Sequence, residues 1–269
     1  MPFVSSGVAV VTGAGSGIGR ALAQQLAAAG SALAIADIDE KGLTETAASL
    51  TSKKAAVSTH VLDVSDEEGV RSFAQDVAAR HGRVTLLINN AGVALIGTFE
   101  EISLDDLRWL MGINFWGVVY GVKYFLPILK QQARAQIVNL SSVFGIIAPV
   151  GQSAYSASKF AVRGFTEAIR HELEGTSVIV SCVHPGGIHT PIAKRARLGA
   201  YAPQRKREEA IARFEQLTPT SPEAAAARIL KGVERREPRI LIGRDARQID
   251  VVQRLRPATY WKMMAKRAQ

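Results

Sequence analysis

The chain has 269 residues, of which 47% are hydrophobic and 21% charged, an ordinary globular balance for a core that needs no staple. Its one cysteine, Cys182, excludes an internal disulfide and suits a reducing compartment, read here as the cytoplasm. The net charge of +9 is uneven, because 19 of the 33 basic residues but 8 of the 24 acids fall within 194–269. That quarter reads first as a solvated basic face, with nucleic acid, an anionic membrane or an anionic substrate tail as other takers. The first residues lack a basic region before an apolar run, so no signal peptide is expected. The longest uncharged run, 136–158, holds Ser, Gly, Asn and Pro149 and would be costly in lipid.

Short apolar runs alternate with amphipathic ones. Strands are predicted over 8–12, 32–36, 56–62, 84–89, 136–140, 178–183 and 239–242. Helices are predicted over 18–29, 41–50, 66–80, 104–112, 115–132 and 155–173, the first closed by Gly30. Residues 66–80 open with acids and end beside Arg80 and His81, as the helix dipole prefers. Strands that are apolar throughout, separated by helices, predict an α/β fold. It is a single-domain, doubly wound, Rossmann-type parallel sheet with helices on both faces. Residues 7–192 form the motif-bearing core of one domain over 1–269. Residues 193–222 read as a mobile insertion beside the substrate, and 223–269 as C-terminal helices with the last strand.

The first strand runs into Thr12-Gly13-Ala14-Gly15-Ser16-Gly17-Ile18-Gly19-Arg20. Glycines there allow a tight turn and bring backbone N–H groups of Gly13, Ser16, Gly17, Ile18 and Gly19 toward a pyrophosphate at a helix N-terminus. Asp37 closes the second strand, where a carboxylate accepts ribose hydroxyls and repels a 2′-phosphate, so NAD is favoured over NADP. Asp39 reads instead as the start of a helix.

Tyr155 and Lys159 share a helix face at i,i+4 spacing. A free phenol has a pKa of about 10. An ammonium beside it, with a positive nicotinamide ring, is expected to lower that value and make Tyr155 a general acid/base. Ser142 ends a strand 13 residues earlier, where its hydroxyl can share charge on a substrate oxygen. Asn89-Asn90-Ala91-Gly92 ends another strand with small residues.

These motifs together resemble the short-chain dehydrogenase/reductase family over roughly 7–192, with a family-like last strand near 239–243. The resemblance implies hydride transfer between NAD(H) and a secondary alcohol or ketone, without a metal. It implies catalysis by Asn114, Ser142, Tyr155 and Lys159, with Asn114 holding a water that links Lys159 to solvent. It implies adenine binding at Asp63 and Val64, and a cofactor lining of Asn90, Ala91 and Gly92. Lys159 would also bond the nicotinamide ribose. Pro185 and Gly186 match the family's P-G turn, and Ile188 and Thr190 the positions that hold the carboxamide. Family members form homodimers or homotetramers through the helices at 115–132 and 155–173, as expected here.

An NADP-dependent carbonyl reductase is the alternative, and a non-catalytic dinucleotide sensor a more distant one. No zinc-spaced Cys/His cluster and no G-x-S-x-G elbow point elsewhere. Segments 93–96 and 143–150 are apolar and predict a lipophilic substrate, although sheet packing explains much of that apolarity. His184 and His189 read as loop structure. The tail, 251–264, mixes basic, aromatic and Met residues. A helix packed on a partner subunit is the preferred reading, peripheral membrane contact the other. No nucleic-acid-binding pattern is present.

Overall fold

A computed structural model describes residues 3–5, 7–50 and 56–265. Seven strands pair in parallel: β1 (Val8–Thr12), β2 (Ala32–Asp37), β3 (Val57–Val61), β4 (Leu86–Asn89), β5 (Ala135–Leu140), β6 (Val178–Pro185) and β7 (Arg239–Ile242). Their order is β3-β2-β1-β4-β5-β6-β7. The chain winds outward both ways from β1 and β4, so their carboxyl ends frame the crevice where a doubly wound sheet takes its ligands.

Every residue of β1, β4 and β5 is buried, which explains why these strands are apolar without alternation. Successive side chains enter opposite layers. Val11, Ile88, Val138 and Val183 pack with Leu22 and Leu26 of α1 (Gly17–Ala29) and Ile229 of α8 (Pro222–Glu234). Val10, Leu87, Ile137 and Val180 pack with Phe73 of α3 (Glu67–His81) and Phe125 of α5 (Gly117–Lys130). Each fully buried side chain of this size contributes about 1.5–3 kcal/mol.

Helix α2 (Glu40–Ser49) is capped by Asp39, which accepts from the Gly42 amide, as the sequence suggested. The two helices expected over 104–132 are one helical stretch. A π-helical turn at Gly112–Trp116 joins α4 (Leu104–Met111) to α5. The wider turn buries Asn114 completely. Helix α6 (Ser153–Glu172) starts two residues before Tyr155, and β6 runs on to Pro185.

Residues 197–216 are more regular than their composition suggests. Arg197–Leu198 pairs in parallel with Leu95–Ile96, and α7 (Arg205–Gln216) follows. Helix α7 buries no residue. Ion pairs tether this region: Lys194–Glu215, Arg195–Asp39, Arg197–Asp106 and Lys206–Glu101. Helices α9 (Arg244–Leu255) and α10 (Tyr260–Ala265) end the described chain, and the Tyr260 hydroxyl accepts from the Ala148 amide at 3.0 Å. No helix among the described residues is long and apolar enough to cross a membrane.

Candidate active site

The glycine loop owes its shape to close approach. Gly13 and Gly17 have φ of 67° and 53°, a region that disfavours other residues. A Cβ on Gly19 would lie 2.0 Å from the Gly13 carbonyl oxygen, and one on Gly13 2.7 Å from Ala91 Cα. The Asn90 side-chain amide staples the loop by donating to the carbonyls of Thr12 (2.8 Å) and Gly13 (3.0 Å). Thr12 Oγ1 accepts from the amides of Asn90 and Ala91. The amide nitrogen of Asn90 is thus spent on the loop, although the family pattern assigned it to the cofactor ribose.

Ser16 stands at the N-cap of α1 but makes no side-chain cap bond, whereas Asp39, Asp66, Ser103 and Ser221 cap α2, α3, α4 and α8. The first amides of α1, at Gly17, Ile18 and Gly19, therefore lack the side-chain acceptor that those four helices carry. The positive end of the helix dipole adds to them. A Cβ on Gly17 would lie 3.1 Å from Thr190 Cγ2, so Thr190 roofs this turn. Positive-φ glycines, an uncapped helix start and a small-residue turn at Ala91 and Gly92 fit a dinucleotide pyrophosphate.

Asp37 presents its carboxylate at the end of β2, where Oδ2 accepts from the Gly15 amide (2.7 Å) and Oδ1 from the Asp39 amide (2.9 Å). Arg20 lies nearby and donates to the Gly15 carbonyl (2.5 Å). Its guanidinium is engaged by Thr46 Oγ1 (2.9 Å), Glu45 (3.0 Å) and the Gly42 carbonyl (3.2 Å). Asp63 is exposed and accepts from the amide and hydroxyl of Ser65, while Val64 is buried against Gly117. Ile38, between Asp37 and Asp39, is 66% exposed.

On the other side of the crevice, Ser142 follows β5. Its Oγ accepts from the Phe144 amide (3.1 Å) and lies close enough to the Tyr155 phenol to pull its pKa down. Lys159, one helical turn along, is buried and donates from Nζ to the Leu140 carbonyl (3.0 Å), with Nζ 5.7 Å from the Tyr155 ring centre. Asn114 clamps the N-N-A-G turn. Its Oδ1 accepts from the Val93 amide (2.8 Å), and its Nδ2 donates to the Val93 carbonyl (3.0 Å) and Ser158 Oγ (3.1 Å). A Cβ on Gly92 would lie 3.2 Å from Asn114 Oδ1 and 3.4 Å from Lys159 Nζ. Ser142, Tyr155, Lys159 and Asn114 are thus linked through α6, β5 and the π turn.

The protein's own groups do not lower the phenol's pKa. Burial pushes Tyr155 up to about 12, with the Ser142 hydrogen bond pulling the other way. Burial also brings Lys159 down to about 8. The expected lowering calls on the positive nicotinamide ring as well as on Lys159, and burial governs the phenol in the protein alone.

Pro185 and Gly186 follow from β6, and a Cβ on Gly186 would lie 2.1 Å from Asp245 Oδ2. The same oxygen accepts from the Gly187 amide at 2.7 Å. Asp245, in the first turn of α9, thus shapes the P-G turn. No sequence motif marked it, since it lies 58 residues from its partner. Ile188 is buried and bridges to Thr220. Cys182 is buried and its thiol is raised to about 12, the inert group expected.

Residues 7–200 match the family model for the short chain dehydrogenases. The chain belongs to the short-chain dehydrogenase/reductase family. It is 43% identical over 260 residues to the putative oxidoreductase SadH of Mycobacterium tuberculosis, covering 96% of this chain and 94% of that one. A short-chain dehydrogenase/reductase from Burkholderia phymatum, solved in complex with NAD, superposes with a TM-score of 0.87 at 33% identity and 96% coverage of each chain. A Mycobacterium paratuberculosis short chain dehydrogenase bound to NAD superposes at 0.78 with 28% identity, covering 91% of this chain and 99% of that one. The chain is an oxidoreductase of this family.

Proposed function

We propose that the chain transfers a hydride between NAD(H) and a lipophilic secondary alcohol or ketone, with Tyr155 as general acid/base. The observation that carries this reading is the convergence of Ser142, Tyr155 and Lys159 at the carboxyl edge of the sheet, with Lys159 Nζ 5.7 Å from the Tyr155 ring centre and the Ser142 hydroxyl close enough to favour the phenolate. The nicotinamide, when bound, gives or takes the hydride. In reduction the Tyr155 hydroxyl gives its proton to the carbonyl oxygen; in oxidation the phenolate removes the hydroxyl proton. Ser142 Oγ bonds the same oxygen and shares its charge. One Nζ proton of Lys159 serves Leu140, leaving two donors for the nicotinamide ribose. A phenol pushed up to about 12 holds its proton at neutral pH, which suits Tyr155 to give that proton to a carbonyl oxygen.

Asp37 supports NAD. Its carboxylate faces the glycine loop, and the nearby Arg20 is occupied, so a 2′-phosphate finds repulsion there. The apolar residues Val93, Leu95 and Val143 support a lipophilic substrate. Trp116, stacked on Tyr120 and 47% exposed, and Phe160, 39% exposed, support a homodimer or homotetramer through α5 and α6. Light scattering gives the subunit number. The buried, unpaired Cys182 suits the cytoplasm. Peripheral membrane contact through the basic tail is tested by sedimentation with anionic vesicles.

The deciding experiment follows nicotinamide absorbance with NADH and NADPH against cyclohexanone, acetophenone and long-chain methyl ketones, and the alcohols in reverse. Tyr155→Phe is expected to lower turnover about a thousandfold while NADH still binds. Full activity in that variant would end the acid/base reading.

A further inference from the structure

His184 is the penultimate residue of β6 and has no exposed surface. Its Nδ1 lies 3.0 Å from the Ser142 carbonyl oxygen. A carbonyl only accepts, so Nδ1 carries the ring proton and donates. The other ring nitrogen, Nε2, is then a buried lone pair without a partner. An unpaired ring nitrogen is a costly thing to bury, and a leucine at this place would carry no such cost. The polar ring is explained by what Nδ1 holds.

The turn that carries Ser142 is gripped residue by residue. The Leu140 carbonyl accepts from Lys159 Nζ. The Ser141 hydroxyl donates to the Lys159 carbonyl at 2.8 Å, and the Ser141 amide to the Val183 carbonyl at 2.9 Å. The Ser142 carbonyl accepts from the Gly145 amide at 2.9 Å and from His184. The last contact ties Ser142 to a strand other than its own. It fixes the peptide plane from which the Ser142 side chain leaves.

We infer that His184 is a positioning residue, holding the Ser142 main chain so that the Ser142 hydroxyl meets the Tyr155 phenol and the substrate oxygen. This rests on the catalytic reading of Ser142 and Tyr155 given above. The ring acts as a neutral donor. Burial holds its pKa at about 4, helped by Arg239 of β7 and Arg163 of α6, against Glu167 of α6 and the Ser142 contact itself. His184 therefore titrates nothing over the working range and touches no substrate.

The test compares His184→Leu, which keeps bulk and loses the donor, with His184→Asn, whose amide nitrogen can take the place of Nδ1. The readouts are kcat and KM for NADH-driven reduction of cyclohexanone or the best ketone of the panel, NADH affinity by fluorescence, and hydrogen exchange at the Phe144 and Gly145 amides. The leucine variant is expected to lose about tenfold in kcat, with KM and NADH affinity within about twofold and faster exchange at both amides. The asparagine variant restores kcat to within about threefold and slows exchange again. Unchanged kcat or exchange in the leucine variant overturns the inference, as does an asparagine variant as impaired as the leucine one. A native protein inactive on every ketone sinks the functional reading instead, and the exchange measurement then decides the His184 contact by itself.

Discussion

His184 gives the fold a specific weakness toward acid. Its folded pKa of about 4 lies below the ordinary 6.5, because the folded state favours the neutral ring. The unfolded chain then binds more protons between these values, and stability falls with acidity. The penalty is absent above about pH 7, grows as pH falls through 6.5, and is complete below 4. Linkage over this window gives about 2 kcal/mol of lost stability at pH 5 from this one ring. An asparagine at 184 keeps a donor for Ser142 and does not titrate. Urea unfolding of the native protein and of His184→Asn, followed by circular dichroism from pH 7 to pH 5, isolates the effect as a difference of differences. The variant should gain about 2 kcal/mol on the native protein over that interval. Parallel stability curves would refute the reasoning, since they would mean that the ring is not held neutral.

Asp37→Ala should weaken NADH binding by tenfold or more and narrow its advantage over NADPH, because a charged acceptor for ribose hydroxyls contributes about 1.5–3 kcal/mol; fluorescence titration checks it. Asp245→Ala removes the acceptor of the part-buried Gly187 amide, so denaturant unfolding should lose about 1 kcal/mol while the far end of the sheet keeps its exchange protection. Gly121→Ala would set a methyl 2.3 Å from Asn89 Oδ1. That side chain is bonded through Asn139 to Thr166, so the substitution should cost about 1–3 kcal/mol in denaturant unfolding.

Much of the fold could be read from the sequence because the sheet is buried on both faces. Runs such as Val8–Thr12 and Leu86–Asn89 have no solvent-facing side to present and therefore stand out. The glycine loop, Asp37, Ser142, Tyr155 and Lys159 were recognisable because each sits at a strand end or helix start that the same periodicity locates. What escaped had no local signature. The π turn at Gly112–Trp116 differs from an α-helix by one residue of hydrogen-bond register, which no side-chain pattern announces. Helix α7 offers no buried face, and its charges match those of a loop. Asp245 and His184 act on atoms 58 and 42 residues away, so neither appears in a spacing. The phenol's upward shift was likewise invisible, since i,i+4 spacing reports that Lys159 shares a face with Tyr155 and says nothing of where its ammonium ends up.

The region between Thr190 and Thr218 is moored by opposite charges as well as by the Arg197–Leu198 pairing and the buried Ala193 and Ala196. Arg195 reaches across to Asp39 beside the ribose end of the crevice, Arg197 to Asp106 and Lys206 to Glu101. Exposed contact pairs of this kind are worth little singly, about 0–1 kcal/mol, and less at high salt. The segment that carries α7 should therefore loosen as salt is raised, and hydrogen exchange across Arg205–Gln216 at low and high ionic strength would show it.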